Sequence, residues 1–309
     1  MVTTRRRINR KRKRKVAKAD SIPMPEQVTN QMCAKISHNM DNGIGAPWHQ
    51  SHQGRPIQHM NVATNHILRG MNPIMLDMLG GLEYEEPRWL TYNQAKQLGG
   101  YVRSGEKSIL LSKPIVIKKK EIKEGETEPE DFIWFVPYRV FNVEQCANLD
   151  IPPMPTVDNS EFNPIEEAEQ IIRNMPDAPQ VIHNGGDRAF YRPKEDTIHL
   201  PEQGAFDSPE AYYETKNHEF GHCTGHESRL GREGILNFDH FGSGKYAREE
   251  LVAEFVSAIL CRQAGITNTI ENSEAYLLSW MKALQNDKKL LMQATAQAHK
   301  AVKYILGGK

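Results

Sequence analysis

The residues whose types and spacing could do chemistry lie in "YYETKNHEFGHCTGHESRL", where His218, Glu219 and His222 form an HEFGH motif. On a helix, two histidines four apart stand one turn above each other on one face. Both imidazoles can then reach one zinc ion, and Glu219 beside them can take a proton from a water on that ion. Catalytic zinc keeps three protein ligands and one open position, so a third donor is required. His226 lies eight residues beyond His218, about 12 Å along a continued helix, and "HEFGHCTGH" does not follow the HExxHxxGxxH spacing that folds a third histidine back. An acid from "YAREELVAEFVSAIL" fits better. Glu250 and Glu254 are one turn apart on a helix whose Leu251, Val252, Phe255, Ile259 and Leu260 mark it as buried, where a carboxylate needs a partner. Glu250 is assigned to the metal and Glu254 to orienting a ligand histidine; spacing alone leaves the reverse assignment open.

These groups need a framework. Ser208 as N-cap and Pro209 at the first helical position predict a helix running through HEFGH. A second helix is predicted over about 245–264, stopped by Gly265, and a helical pair closes the chain in "SEAYLLSWMKALQND" and "KKLLMQATAQAHKAVKYIL". Before them come the helix "PIEEAEQIIRNM" and short strands in "QVIH", "RAFYR" and "DTIHL". This gives a mainly helical second region with a small sheet. The first region reads as α+β. Val28, Met32, Ile36 and Met40 have helical spacing, "ILRGMNPIMLDMLGG" reads as mainly helical, and Thr91 with Gln94 forms a capping box. "KSILLSKPIVIKKK" and "DFIWFVPYRVFNV" read as strands around an acidic loop. The prolines of "LDIPPMPTVDNSEFNP" mark a linker. The expected organisation is a basic tail (1–23), an α+β domain (24–148), a linker (149–163) and a second domain (164–309), at a length that allows each domain its own core.

The net charge of zero conceals an asymmetry. Residues 1–20 carry ten Lys or Arg against Asp20, a charge of +9, so the other 289 residues sum to −9. Such a run has nothing to bury and suits the phosphate backbone of a nucleic acid. In the first region Trp48, Trp89, Tyr92 and Tyr101 are candidate stacking platforms for unpaired bases, although a tryptophan is more often core than platform. Arg69, Lys96, Arg103 and Lys107 are candidate phosphate contacts. The four cysteines, Cys33, Cys146, Cys223 and Cys261, form no CxxC pair, which argues against a disulfide framework or a thiolate zinc site. No apolar run approaches the roughly 18 residues of a membrane span, and the amino terminus lacks an apolar signal core. A cytoplasmic setting without a membrane partner is expected.

Through these motifs the chain resembles the ArdC-type antirestriction proteins. Its second region, through "HEFGHCTGHESRL", "YAREELVAEFVSAIL" and "AYLLSWMKAL", is similar to their zincin-type metallopeptidase domain. Its first region, through "APWHQ", "GMNPIML", "WLTYNQAKQLGGYVRSGEKS" and "YRVFNVEQ", is similar to their single-stranded-DNA-binding domain, which TraC-type plasmid primases share. The resemblance implies a protein of plasmid or phage provenance that accompanies incoming DNA and shields it from restriction. It also implies Zn²⁺ or another divalent ion as cofactor, single-stranded DNA as partner, and a host protein as a candidate substrate. The alternatives are a DNA-coating protein whose metal site is structural, and a host-directed peptidase without a DNA role. Two departures stand out: the basic tail, and Cys223 where a bulky aromatic is expected.

Overall fold

The computed structural model of the chain describes residues 23–42, 58–69, 71–80, 84, 86–117, 132–153, 163–183, 186–236, 244–266 and 274–308. The first region contains α1 (Met24–Asp41), β1 (Met60–Asn61), β2 (His66–Ile67), α2 (Met71–Gly80), β3 (Arg88–Leu90), α3 (Tyr92–Gln97), β4 (Tyr101–Val102), β5 (Ile109–Ile117), β6 (Phe132–Asn142) and β7 (Cys146–Ala147). The second contains α4 (Pro164–Arg173), β8 (Gln180–His183), β9 (Phe190–Arg192), β10 (Thr197–Leu200), α5 (Pro209–Cys223), α6 (Glu233–Leu236), α7 (Gly244–Ala264), α8 (Glu274–Asn286) and α9 (Leu290–Ile305). The architecture is α+β in two parts, as expected.

Local rules account for the element ends. In α3, Thr91 Oγ1 accepts from the Gln94 amide while the Thr91 amide donates to Gln94 Oε1 at 2.8 Å, completing the capping box. Helix α1 buries Val28, Met32 and Ile36, spaced one turn apart. The helix in "ILRGMNPIMLDMLGG" starts only at Met71, because His66–Ile67 pairs with β1 instead. The first sheet runs β2-β1-β3-β6-β5, and the long β5–β6 hairpin pairs Ile109 with Val140 through Ile117 with Phe132. The second sheet, β8-β10-β9, is small.

The main core is shared between the two parts, which corrects that expectation; only a small cluster of Leu90, Ala95, Val143 and Cys146 belongs to the first part alone. One continuous cluster of buried apolar residues includes Met32 and Ile36 of α1, Met75 of α2, Phe255 of α7, Trp280 of α8 and Leu291 of α9. Helix α1 packs on α8 and α9, and α2 on α9, because one sheet and the helices of the first part leave apolar surface that they do not cover alone. A buried polar chain also crosses the junction. Trp89 Nε1 donates to His59 Nδ1 at 2.9 Å, His59 Nε2 meets Asp77 Oδ1 at 2.5 Å, and Asp77 pairs with Arg262 of α7. Trp89 is 1% exposed, and Gly80 makes room for it: a Cβ there would lie 2.8 Å from the indole Cη2.

Candidate metal centre

Helix α5 begins where the sequence places it. Ser208 Oγ accepts from the Ala211 amide at 3.1 Å, and Pro209 occupies the first turn. The helix ends at Thr224, so His226 falls in the following turn, bound to Ser228 Oγ at 2.8 Å. Helices α5 and α7 cross at close range at Gly221, where a Cβ would lie 2.8 Å from Ala253 Cα. Only glycine permits that approach, and it brings the acids of α7 against the histidines of α5.

The two Nε2 atoms of His218 and His222 are 3.2 Å apart. Glu250 completes a triangle, with Oε2 at 3.6 Å from His218 Nε2 and Oε1 at 3.4 Å from His222 Nε2. Among the described residues these three form a group of metal-type donors, all within 4.8 Å of one another. Bonds of 2.0–2.1 Å to a tetrahedral ion separate donor pairs by about 3.3 Å, so the spacing and the N₂O donor set fit zinc. Each imidazole is backed on its other nitrogen by a separate acid. Glu254 Oε1 lies 3.4 Å from His218 Nδ1, and Glu249 Oε1 lies 3.5 Å from His222 Nδ1, an ion-pair distance without hydrogen-bond alignment. Glu219 is buried, and its Oε2 has no hydrogen-bond partner.

Electrostatics follow from this crowding. Burial works against charge on both imidazoles but is outweighed. Glu250 and Glu254 hold the His218 pKa well above its ordinary value, and Glu249 and Glu250 push His222 up to about 9. Burial likewise opposes ionisation of Glu250, yet the two histidines hold it well below the usual carboxylate range. Glu249 is held at about 2, against burial, by His222 and Arg232. An ion entering the triangle must therefore displace protons from the imidazoles, so metal affinity falls as pH falls.

The group opens onto a cleft of about 1130 Å³ whose walls include Phe190, Tyr191, Ile235 and Leu236. Among the described residues strand β9 lies at the edge of its sheet, and its Phe190, Tyr191 and Arg192 line this cleft. The sequence did not single out Glu249 or Arg232, and it predicted the strand in "RAFYR" without its place beside the cleft. Adjacent acids in an apolar helix were a readable signal for Glu249; nothing local marks Arg232.

The candidate DNA-contact residues fare unevenly. Trp89 is corrected: its ring is enclosed between His59 and Tyr84, both in edge contact at 5.7 Å, so no base can stack on it. Trp48 and the basic tail lie outside the described residues. Tyr92 and Tyr101 are about half exposed, on α3 and on β4, which pack together, and Lys96 Nζ sits 4.8 Å from the Tyr92 ring centre. Arg69 and Lys107 are exposed, and Arg103 is paired with Glu106 at 2.9 Å.

Comparison with known proteins accords with both halves. A family model for the N-terminal domain of the anti-restriction factor ArdC matches residues 23–141, and one for a zincin-like metallopeptidase matches residues 166–297. Two Escherichia coli proteins called DNA primase TraC are 37% identical over 281 residues and 34% identical over 305, covering 84% and 92% of this chain. The chain spans only 18% and 27% of those relatives' own length. An uncharacterized protein, y4eC, of Sinorhizobium fredii is 31% identical over 288 residues, covering 91% of this chain and 90% of its own. Crystal structures of the antirestriction ArdC protein of plasmid R388, one metal-free and one Mn(II)-bound, match with a TM-score of 0.66 at 30% identity. They cover 93% of this chain and 100% and 98% of theirs. No helix among the described residues is long and apolar enough to cross a membrane. The chain belongs to the ArdC antirestriction family and carries its N-terminal domain together with a zincin-like metallopeptidase domain.

Proposed function

We propose that this protein binds single-stranded DNA of a mobile element entering a bacterial cell, shields it from restriction in the cytoplasm, and hydrolyses peptide bonds at a zinc centre held by His218, His222 and Glu250. The observation that carries the catalytic half is the convergence of these donors with an unpartnered carboxylate oxygen of Glu219 on an open cleft. A purely structural metal site would be closed and would have no use for a buried, unsatisfied acid. The relative bound to Mn(II) makes manganese the rival ion, but two imidazoles and one carboxylate suit zinc.

When bound, the ion supplies Lewis acidity, making water a stronger acid and a carbonyl carbon more electrophilic. Glu219 takes a proton from the attacking water as its oxygen bonds to the carbonyl carbon, then delivers that proton to the amide nitrogen as the C–N bond breaks. Glu254 and Glu249 hold the imidazoles of His218 and His222 in orientation. Strand β9 aligns the substrate as an added antiparallel strand, and Ile235 and Leu236 favour an apolar side chain. A host protein is the substrate class this reading implies.

For DNA, exposed Tyr92 and Tyr101 offer stacking faces, and Lys96, Lys107 and Arg69 offer phosphate contacts. Arg103 must exchange Glu106 for phosphate to join them. The test is binding of a labelled single-stranded oligonucleotide and a duplex of equal length, for the full chain and for a chain starting at Met24, across a salt series. Preference for single strands in both chains supports recognition by the first domain; loss of all binding with the tail would sink it. The catalytic half is tested by Zn²⁺ titration and cleavage of a mixed peptide library, and equal zinc binding by wild type and His222→Ala would overturn it.

A further inference from the structure

His226 has no part in the donor triangle, yet it lines the same cleft as His218, Glu219 and His222. The chain keeps turning beyond α5. The Gly225 amide donates to the His222 carbonyl oxygen at 2.8 Å, and the His226 amide to that of Cys223 at 3.1 Å. His226 therefore stands about one turn past His222. Its ring is oriented by Ser228, whose backbone amide donates to Nδ1 at 3.3 Å and whose Oγ lies 2.8 Å from the same nitrogen. An amide N–H can only donate, so Nδ1 carries no proton, the Ser228 hydroxyl donates to it as well, and the ring hydrogen is on Nε2. Ser228 does not line the cleft; it lines a separate cavity with Lys300 and Tyr304. The Nδ1 edge is thus turned out of the cleft, and the edge that His226 presents to it carries Nε2. That N–H makes no hydrogen bond to any described residue.

A peptide brings carbonyl oxygens into a cleft, and each needs a donor once water is gone. An extended chain added to β9 satisfies only one of its two backbone edges, so carbonyls on the other edge depend on the rest of the wall. Much of that wall cannot serve. Glu219, Glu227, Glu249 and Glu250 accept as carboxylates, and the Tyr191 hydroxyl already donates to Asp196 at 2.7 Å. We propose that His226 is a substrate-binding residue whose Nε2 donates a hydrogen bond to a backbone carbonyl oxygen of the peptide in the cleft. This deepens, and rests on, the reading of the cleft as that of a metallopeptidase with His218, His222 and Glu250 as ligands.

Two variants isolate the hydrogen. His226→Phe keeps a ring and removes both nitrogens; His226→Gln also loses the Nδ1 acceptor but restores an N–H near the position of Nε2. The difference between them therefore reads the donor and not the turn held by Ser228. The probe is a fluorescently labelled peptide taken from the mixed library because zinc-loaded wild type cleaves it. His226→Phe is expected to lower kcat/KM by about 3- to 10-fold, and to weaken binding of the same peptide by a similar factor, read by fluorescence polarisation on the zinc-loaded Glu219→Gln background. His226→Gln is expected to recover most of both, and neither variant to change zinc affinity in calorimetry. Cleavage and binding by His226→Phe equal to the parent would overturn the proposal, as would a His226→Gln no better than His226→Phe. A loss of zinc affinity in His226→Phe would overturn it too, since the ring would then belong to the metal. Should thermal unfolding show that His226→Phe does not fold, His226→Ala is read in its place by the same criteria. Failure of the underlying reading is visible in wild type alone, as no zinc uptake or no library peptide cleaved, and the proposal falls with it.

Discussion

Both halves of the molecule bury histidines among charges, yet they treat them in opposite ways. In the first, burial and the nearby positive charge of Arg262 drive the His59 pKa well below its ordinary value. The tautomer follows from its partners: the Trp89 indole can only donate, so Nδ1 carries no proton and Nε2 donates to Asp77. Every end of that polar chain is satisfied within the protein. In the second half, carboxylates outweigh burial and hold His218 and His222 protonated, and the network is left open, with Glu219 Oε2 unpartnered and three donors converging on one point. A closed buried network is what a structural junction needs. An open one carries a cost in stability that only a ligand offsets.

That contrast can be broken from either side. The largest effect is expected at the open network. Glu219→Gln should lower any metal-dependent peptide cleavage by about 10²- to 10⁴-fold while leaving zinc affinity and thermal stability intact, measured by calorimetry and thermal unfolding. A comparable loss of stability would mean Glu219 is structural. The closed network should answer in the other currency. Trp89→Ala should cost about 3–5 kcal/mol in denaturant unfolding without changing DNA affinity per folded molecule. Exposed Tyr92→Ala should do the reverse, weakening single-strand binding by about 1–3 kcal/mol with stability little changed. Glu254→Ala sharpens the comparison within the open site, with an expected loss of about 10- to 100-fold in zinc affinity, read by competition with a chelator.

The smallest effect concerns His59. Its folded pKa lies below its unfolded value, so the unfolded chain binds the proton more readily. The associated stability is present above about pH 6.5 and is lost as the pH falls below it. Unfolding free energies measured at descending pH should fall in that window, and His59→Gln, which can still accept from Trp89 and donate to Asp77, should flatten the slope. An unchanged slope would show that His59 is not the titrating group.

Much of this was legible beforehand for a simple reason: it is local. Ser208-Pro209 sets the start of α5, Thr91 and Gln94 cap α3, and Gly265 ends α7 with a φ of 67°. The junction was not legible. Nothing in the spacing of Val28, Met32 and Ile36 says that their partners lie some 250 residues away on α8 and α9, so a core for each part was expected where the main one runs through both. Trp89 fails for the same reason. An indole in an α+β domain has no local signature separating a stacking face from a core, and its burial is set by His59 and by the Gly80–Tyr84 turn converging from two segments.

What the sequence by itself determined is the pair His218 and His222 with Glu219 between them, because helical rise and turn fix which residues share a face whatever the rest of the chain does. It also pointed to an acid of α7, Glu250 before Glu254, as the third donor, but spacing alone left the choice between the two open. Glu250 and Glu254 occupy the same face of that helix, and only its rotation against α5, set where Gly221 meets Ala253, turns Glu250 toward both Nε2 atoms and Glu254 toward Nδ1 of His218. The tertiary structure alone placed Glu249 beside Nδ1 of His222, since Arg232, which grips it, comes from a different segment of the chain.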